Sequence, residues 1–175
     1  MDPSDRPSHT VAVLTVSDGV SRGTRQDLTG AALAELLESA GYLVTVRRIV
    51  GDEAELIGHA IRDLASQVSM VLTTGGTGFG PRDVTPEATR AVIEREAPGL
   101  VQLMLSESLS KTPMAALSRA VAGTCGISLV VNLPGSPRGA IENLNALLPV
   151  LPHALTLLAG DTEHRPSAPD RPSVP

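Results

Sequence analysis

Short runs rich in valine, isoleucine and threonine alternate along this chain with longer segments whose leucines and alanines recur every three or four residues. Alternation of this kind is typical of α/β proteins, in which helices pack on both faces of a largely parallel sheet. We therefore expect a three-layer α/β/α sandwich with a mostly parallel, mixed sheet. In such folds, ligands bind at the carboxyl ends of the strands.

The same periodicity predicts the individual elements. Strands are expected over residues 10–16, 42–50, 69–74 and 127–133, with a shorter strand at 119–124 forming a hairpin with the last. Helices are expected over residues 29–40, 52–66, 85–96, 98–109, 140–148 and 151–158. We predict that Thr29, Asp52 and Thr85 cap the first three helices, with Asp52 and Glu55 forming a capping box.

The two ends of the chain differ from the region between them. Six of the 14 prolines lie in residues 1–8 and 161–175, where few apolar residues accompany them. Proline lacks a backbone donor, and segments with little to bury do not form a packed core. Both segments are therefore predicted to be disordered tails around one domain at residues 9–160, a usual size for one domain.

Composition excludes several classes of protein. Although 42% of residues are hydrophobic, only Tyr42 and Phe79 are aromatic, so we expect a core built from Ala, Val, Leu and Ile. The net charge is -5. Proteins that bind single-stranded nucleic acid need aromatic platforms and a basic surface, so nucleic acid is not an expected partner. The single Cys125 cannot form an internal disulfide, and the four histidines lack zinc-ligand spacing. No signal peptide or membrane span is recognised, and we expect a cytoplasmic protein.

Two long loops follow predicted strands. Residues 17–30 read SDGVSRGTRQDLTG and are longer than an ordinary connection, which indicates either a ligand contact or a flexible segment. Residues 73–86 read TTGGTGFGPRDVTP, and their glycines let backbone amides approach an anion such as a phosphate. This second loop matches neither the P-loop nor the dinucleotide-binding pattern, and a simple glycine turn remains an alternative.

Carboxylates near the second loop suggest a metal site. Asp83 is not needed as a helix cap, so it is either a solvated loop residue or a ligand that holds Mg²⁺ between phosphate oxygens. For Asp52 the local pattern favours the cap. A third loop at residues 132–139 reads NLPGSPRG. It is either a rigid turn or a loop whose amides, with the Asn132 side chain, bind a polar ring or a phosphate.

Five blocks of sequence carry a resemblance to a known family. In order, they are SDGVSRGTRQDLTG, TTGGTGFGPRDVTPEAT, PGL (residues 98–100), TPMAALSRAVAG (residues 112–123) and NLPGSP. Together they closely resemble the MoaB/Mog family of molybdenum-cofactor biosynthesis proteins, which includes the G domains of gephyrin and its plant counterpart. The resemblance covers residues 9–160. It implies a three-layer α/β domain that assembles as a homotrimer or, in some branches, a hexamer.

The resemblance also implies an activity. Active members of the family are molybdopterin adenylyltransferases, which use Mg²⁺ and ATP to join AMP to the terminal phosphate of molybdopterin and release pyrophosphate. Asp52 and Asp83 match the two carboxylates regarded as catalytic, and both are expected to act through Mg²⁺, which replaces the capping role for Asp52. The matching substrate and nucleotide residues are Ser17, Asp18, Asp27, Thr74, Gly75, Gly76, Thr77, Gly78, Ser118, Asn132, Pro134, Gly135 and Ser136.

The chain departs from the family pattern at two places. Gly19 stands where relatives commonly carry arginine, so an anion contact there falls to Arg22 or Arg25. Ser110 stands where some relatives carry lysine, which leaves the following Lys111 as only a candidate phosphate ligand. The alternative function is a molybdopterin carrier that has lost turnover. The expected partners are molybdopterin, ATP and the molybdate-insertion enzyme of the pathway.

Overall fold

The structure is a computed structural model that describes residues 9–160. The two predicted tails lie outside the described residues. Six strands form one mixed sheet in the order β2-β1-β3-β6-β5-β4. The pairs β1–β2, β1–β3 and β3–β6 are parallel, whereas β5–β6 and β4–β5 are antiparallel. The strands are β1 (Thr10–Val16), β2 (Leu43–Val50), β3 (Met70–Thr74), β4 (Arg95–Glu96), β5 (Ala122–Cys125) and β6 (Ser128–Leu133).

Helices cover both faces of the sheet and confirm the predicted three-layer sandwich. They are α1 (Asp18–Ser21), α2 (Leu28–Ser39), α3 (Ala54–Ala65), α4 (Thr85–Arg90), α5 (Pro98–Leu109), α6 (Pro137–Leu147) and α7 (Leu151–Leu158), with a 3₁₀ helix at Pro113–Leu117. Helices α2, α5, α6 and α7 pack into one core on one face, and α3 and α4 pack into a second core on the other.

Aliphatic side chains fill these two cores. The largest fully buried side chains are leucines, isoleucines and methionines, such as Leu14, Ile61 and Met104. Of the two aromatic residues, Tyr42 is buried at 8% exposure, whereas Phe79 is 71% exposed. The chain therefore stabilises its fold mainly by close packing of branched aliphatic side chains, as its composition predicted.

Three predicted caps are wrong. Helix α2 begins one residue earlier than predicted, and the Asp27 side chain, not Thr29, accepts a hydrogen bond from the Gly30 amide. Val84 precedes α4 in the cap position without a side-chain bond, and Thr85 is the first helical residue. Asp52 does not cap α3, which begins at Ala54 after Glu53. The Asp52 carboxylate and the Thr29 hydroxyl bond neighbouring loops instead, and the Thr85 hydroxyl bonds the Gly75 carbonyl ten residues earlier, because these partners compete with the local cap.

Helix α4 ends at Arg90, six residues before the predicted end. The segment that follows adds β4 to the edge of the sheet, with Arg95 opposite Thr124. Two flanking amides strengthen this pairing, because Glu94 N–H donates to Thr124 O and Ala97 N–H donates to Ala122 O. The open backbone groups of β5 thus determine the conformation here, and a longer helix would leave them unpaired.

Candidate active site

The loops that follow four parallel strands meet at one edge of the sheet. Strands β1, β2, β3 and β6 run in the same direction, and their register places Val16 beside Val50, Thr15 beside Thr74 and Thr74 beside Leu133. The loops that follow these strands therefore lie side by side. They contain the three segments that the sequence indicated, together with Asp52, and they lie at the edge of the sheet where ligands bind in folds of this class.

Asp18 and Asp52 join the first two of these loops. The Asp18 N–H donates to Asp52 Oδ2 over 2.7 Å, and the Asp52 N–H donates to Asp18 Oδ1 over 3.0 Å. These reciprocal bonds account for the absence of a capping box at α3. The other Asp52 oxygen, Oδ1, lies 3.5 Å from the position that a Cβ on Gly76 would occupy, so it lies beside the loop of residues 73–86, which we call the glycine loop.

Arg82 ties the glycine loop to the loop of residues 17–30. Its Nε and Nη2 both donate to Asp18 Oδ2, over 3.1 and 2.7 Å. The bond from the Asp52 amide and these bonds from Arg82 favour the ionised carboxylate and hold the pKa of Asp18 below its usual range. The Asp18 side chain is thus a junction between loops. The sequence identified Asp18 but not Arg82, whose partner lies 64 residues away.

The glycine loop requires glycine at two successive positions. Gly75 and Gly76 have φ angles of 101° and 65°, which side chains disfavour. A Cβ on Gly75 would lie 2.3 Å from the carbonyl oxygen of Val16, and one on Gly76 would lie 2.4 Å from Thr85 Oγ1. The Thr85 hydroxyl donates to the Gly75 carbonyl over 2.9 Å. The loop is therefore held in close contact with its neighbours and is more than a turn that reverses the chain.

Asp83 lies at the end of the glycine loop and helps to close it. Its Oδ2 accepts a hydrogen bond from the Gly80 N–H over 2.8 Å. Arg119 binds the same segment from outside, with Nε donating to Gly78 O over 2.7 Å and Nη2 donating to Asp83 O over 2.5 Å. Arg119 also pairs with Glu87. Arg119 lies in the block TPMAALSRAVAG, from which the resemblance indicated only Ser118.

Two adjoining cavities open between these loops. The first, about 550 Å³, we call the carboxylate cavity because Asp27, Asp52 and Asp83 line it. The second, about 340 Å³, we call the aliphatic cavity because Val101, Met104, Leu105, Met114 and Leu117 line it. The predicted site residues on the carboxylate cavity are Ser17, Asp27, Asp52, Thr74, Gly75, Gly76, Asp83, Gly135 and Ser136. Those on the aliphatic cavity are Thr77, Gly78, Ser118, Pro134 and Ser136.

The glycine loop and the loop after β6 form the boundary between the two cavities. Gly75 and Gly76 line the carboxylate cavity, whereas Thr77 and Gly78 line the aliphatic one. Ser136 lines both. A ligand with a phosphate at this boundary could therefore extend into either cavity from the same backbone cradle.

Asn132 lies below the site and faces neither cavity. Its side chain is fully buried, with Nδ2 donating to the hydroxyls of Thr73 and Thr89 and Oδ1 accepting from the Val121 N–H. All of these bonds are internal. Asn132 therefore supports the loop after β6 from below. The sequence had instead predicted that its side chain contacts a ligand.

Lys111 lies outside both cavities. Its ammonium pairs with Glu107 over 2.8 Å and with Glu142 over 3.5 Å, and the bond to Glu107 raises the pKa of Lys111. Glu142 lines the aliphatic cavity, and its pKa is lowered chiefly by the bond from Arg138. Cys125 also lies away from both cavities, and burial raises the pKa of its thiol.

The four loops at this sheet edge define an α/β protein with a polar cavity beside an apolar one. A family profile described as "Probable molybdopterin binding domain" matches residues 12–153. The chain belongs to this family, which confirms the resemblance.

Within residues 9–160, no helix is both long and apolar enough to cross a membrane.

Individual relatives agree with the family assignment. The molybdopterin adenylyltransferase of Helicobacter pylori strain J99 is 40% identical over 157 residues, which are 86% of this chain and 88% of that protein. The crystal structure of the molybdopterin biosynthesis enzyme MoaB of Thermus thermophilus is 52% identical, with a TM-score of 0.82 over 87% of this chain and 97% of that one.

Other relatives are much longer proteins. The molybdenum cofactor synthesis protein cinnamon of Drosophila melanogaster is 40% identical over 157 residues, which are 88% of this chain but 26% of cinnamon. The chain thus spans about a quarter of that relative's length.

Proposed function

We propose that this chain is a molybdopterin adenylyltransferase, which transfers AMP from ATP to the terminal phosphate of molybdopterin and releases pyrophosphate. One observation carries the proposal: the glycine loop forms a shared wall between a cavity lined by carboxylates and a cavity lined by aliphatic side chains. The reaction needs two such cavities, because the triphosphate of ATP and the flat heterocycle of molybdopterin must both lie close to the phosphate at which the new bond forms. The name of the Helicobacter pylori relative supports the same activity.

The chemistry requires positioning more than a reactive protein group. A phosphate oxygen of molybdopterin forms a bond to the α-phosphorus of ATP, and the bond to the bridging α,β oxygen breaks with its electron pair leaving on pyrophosphate. In-line geometry and neutralisation of charge can supply most of the acceleration. The Gly75 N–H already donates to Leu133 O over 3.3 Å, so the backbone amide of Gly76 is the one of this pair that is available for this role, and neither cavity contains Cys125.

Asp52 and Asp83 form a donor set that suits a Mg²⁺ ion shared with the phosphates of a substrate. Both carboxylates line the same cavity, but residues 9–160 contain no group of three or more acidic, histidine or cysteine residues that could enclose a metal ion. Mg²⁺ commonly binds through one or two carboxylates together with substrate phosphates and water, so this donor set fits. When bound, the ion would neutralise charge on the triphosphate. Asp52 and Asp83 would hold it, each using the oxygen that does not accept a backbone amide.

The aliphatic cavity supports binding of the pterin. Its walls of Met104, Leu105 and Met114 offer apolar contact, and Ser118 adds a hydroxyl near the glycine loop. Phe79 lines neither cavity, and its ring is 5.7 Å from the guanidinium of Arg119. Ring recognition would therefore depend on aliphatic side chains and hydrogen bonds rather than on aromatic stacking.

The test is direct. Purified protein is incubated with molybdopterin, ATP and Mg²⁺, and pyrophosphate and adenylylated molybdopterin are measured against a reaction without Mg²⁺. Product that depends on both Asp52 and Asp83 would support the proposal. Tight molybdopterin binding with no product would refute turnover and favour the carrier function.

We also propose that the chain forms a homotrimer in the cytoplasm, with a hexamer as the alternative assembly. Membership of the molybdopterin-binding family supports this, together with exposed apolar side chains such as Ile127 and Leu43 that an interface could cover. Sedimentation equilibrium would test the assembly. A mass of three 18.1 kDa chains is expected, and a mass of one chain at micromolar concentration would refute it.

A further inference from the structure

The carboxylate cavity has an imbalance of charge that the proposed reaction must overcome. Three carboxylates line it, of which Asp27 pairs with Arg47 over 3.0 Å outside the cavity lining, and a nucleoside triphosphate would add several more negative charges. Among the described residues that line this cavity, Arg25 is the one with a positive side chain. Neither Arg82 nor Arg119 lines it, and both already bind oxygens of the protein.

Arg25 is positioned but not paired. Within residues 9–160 its guanidinium has no hydrogen bond or ion pair, whereas the neighbouring Arg22 lies 3.5 Å from Asp18 and outside the cavity lining. An unpaired guanidinium beside a phosphate-sized polar cavity is well suited to an anionic ligand, because Arg can form two parallel charge-assisted hydrogen bonds to phosphate oxygens.

Gly19 determines where Arg25 lies. The Gly19 carbonyl accepts three hydrogen bonds, from the amides of Thr24 and Arg25 and from the Thr24 hydroxyl, over 2.9 to 3.0 Å. These bonds fold the loop back so that the stem of Arg25 crosses Gly19. A Cβ on Gly19 would lie 2.8 Å from Arg25 Cδ and 3.3 Å from Cγ, so only glycine leaves room for this path.

We propose that Arg25 binds the phosphate chain of the nucleoside triphosphate and that Gly19 provides the space that directs Arg25 into the cavity. This inference rests on the proposed function for the identity of the ligand. It assigns Arg25 a substrate contact and Gly19 a positioning role through Arg25. The sequence left the anion contact to either Arg22 or Arg25, and this inference assigns it to Arg25.

The test measures binding separately from catalysis. Titration calorimetry with Mg²⁺ and α,β-methylene-ATP, which cannot transfer its adenylyl group, compares wild type with Arg25→Gln and with Arg90→Gln as a matched loss of charge. Arg90 is 51% exposed on its side chain and lines neither cavity. We expect Arg25→Gln to raise Kd roughly ten- to a hundredfold and to flatten its dependence on salt, with Arg90→Gln within about twofold of wild type.

Gly19→Ala tests the positioning role. The added Cβ meets a flexible side chain rather than backbone, so we expect the melting temperature to stay within about 2 °C of wild type while Kd rises as in Arg25→Gln. Gly99→Ala is the control, since a Cβ there has no neighbour within 4 Å. In the Arg25→Gln background, Gly19→Ala should change Kd less than about twofold, because both changes act through the same side chain.

The outcomes separate this inference from the proposed function. A Kd for Arg25→Gln within twofold of wild type would overturn the inference, even if the chain forms adenylylated molybdopterin. An undiminished effect of Gly19→Ala in the Arg25→Gln background would overturn the positioning role. If no product forms but Arg25→Gln still weakens binding of the analogue, the proposed function fails and the inference stands.

Discussion

Gly75→Ala tests whether the glycine loop depends on close backbone contact. The substitution has two costs: φ near 101° disfavours any side chain, and the new Cβ would lie 2.3 Å from the backbone oxygen of Val16. A left-handed conformation costs roughly 1–2 kcal/mol, and overpacking against a rigid neighbour adds roughly 1–3 kcal/mol. We therefore expect the free energy of unfolding to fall by about 2–5 kcal/mol.

Gly126→Ala provides the matched control. Gly126 has φ near 58°, but a Cβ there has no heavy atom within 4 Å, so only the conformational cost of roughly 1–2 kcal/mol remains. The lower entropy of the unfolded chain that alanine brings affects both variants equally and cancels in the comparison. The difference between them, about 1–3 kcal/mol, reports mainly on the contact with Val16, together with any extra cost of the larger φ at Gly75.

Urea unfolding followed by circular dichroism measures both variants, and adenylyl transfer is assayed below the unfolding transition. Gly75→Ala should lose transfer activity even where it is fully folded, because relief of the contact moves the loop that lines the carboxylate cavity. Equal unfolding free energies for the two variants, within about 0.5 kcal/mol, would refute the argument from close contact.

Three other substitutions test the remaining parts of the site. Asp83→Asn keeps an oxygen that can accept from the Gly80 N–H, so unfolding free energy should change by less than about 1 kcal/mol while adenylyl transfer falls about a hundredfold or more. Asn132→Ala removes the buried acceptor of the Val121 N–H and should lower the free energy of unfolding by about 1–3 kcal/mol. Because the folded-state pKa of Asp18 lies below its usual value, its ionised form stabilises the fold above about pH 4, and this contribution is lost as pH falls through the lowered pKa. Asp18→Asn should therefore flatten the decline of stability with acid below about pH 4.

Each of these tests has a control or a contradicting result. Asp63→Asn removes a carboxylate that pairs with Arg48 and lines neither cavity, so it should leave adenylyl transfer unchanged. If Asp83→Asn destabilises the protein but retains full transfer, its role is structural. Unchanged stability in Asn132→Ala would contradict the supporting role of that side chain. An acid decline as steep in Asp18→Asn as in wild type would mean that other carboxylates cause it.

Local sequence was sufficient for much of the fold. Strand β1 and helices α5 and α7 have the predicted bounds, because a short run of β-branched and apolar residues and the helical period are both properties of neighbouring residues. The glycine loop and Asp83 were recognised for the same reason: a glycine run after a buried strand limits the backbone wherever the rest of the chain lies. The scarcity of aromatic residues likewise predicted an aliphatic core.

Long-range contacts decided the chemistry of the site. Asp52 and Asp18 are 34 residues apart, and Arg82 and Asp18 are 64 apart, so no local pattern predicts that they meet. The local pattern at Asp52 even indicated a cap that the structure does not contain. The parallel register of β1, β2 and β3 brings their carboxyl ends together, and side chains then take partners from neighbouring loops in place of local ones. Sequence alone thus determined which segments could bind an anion, whereas sheet register determined which side chains face the cavities and which support them, because hydrogen-bond partners are selected by distance in space.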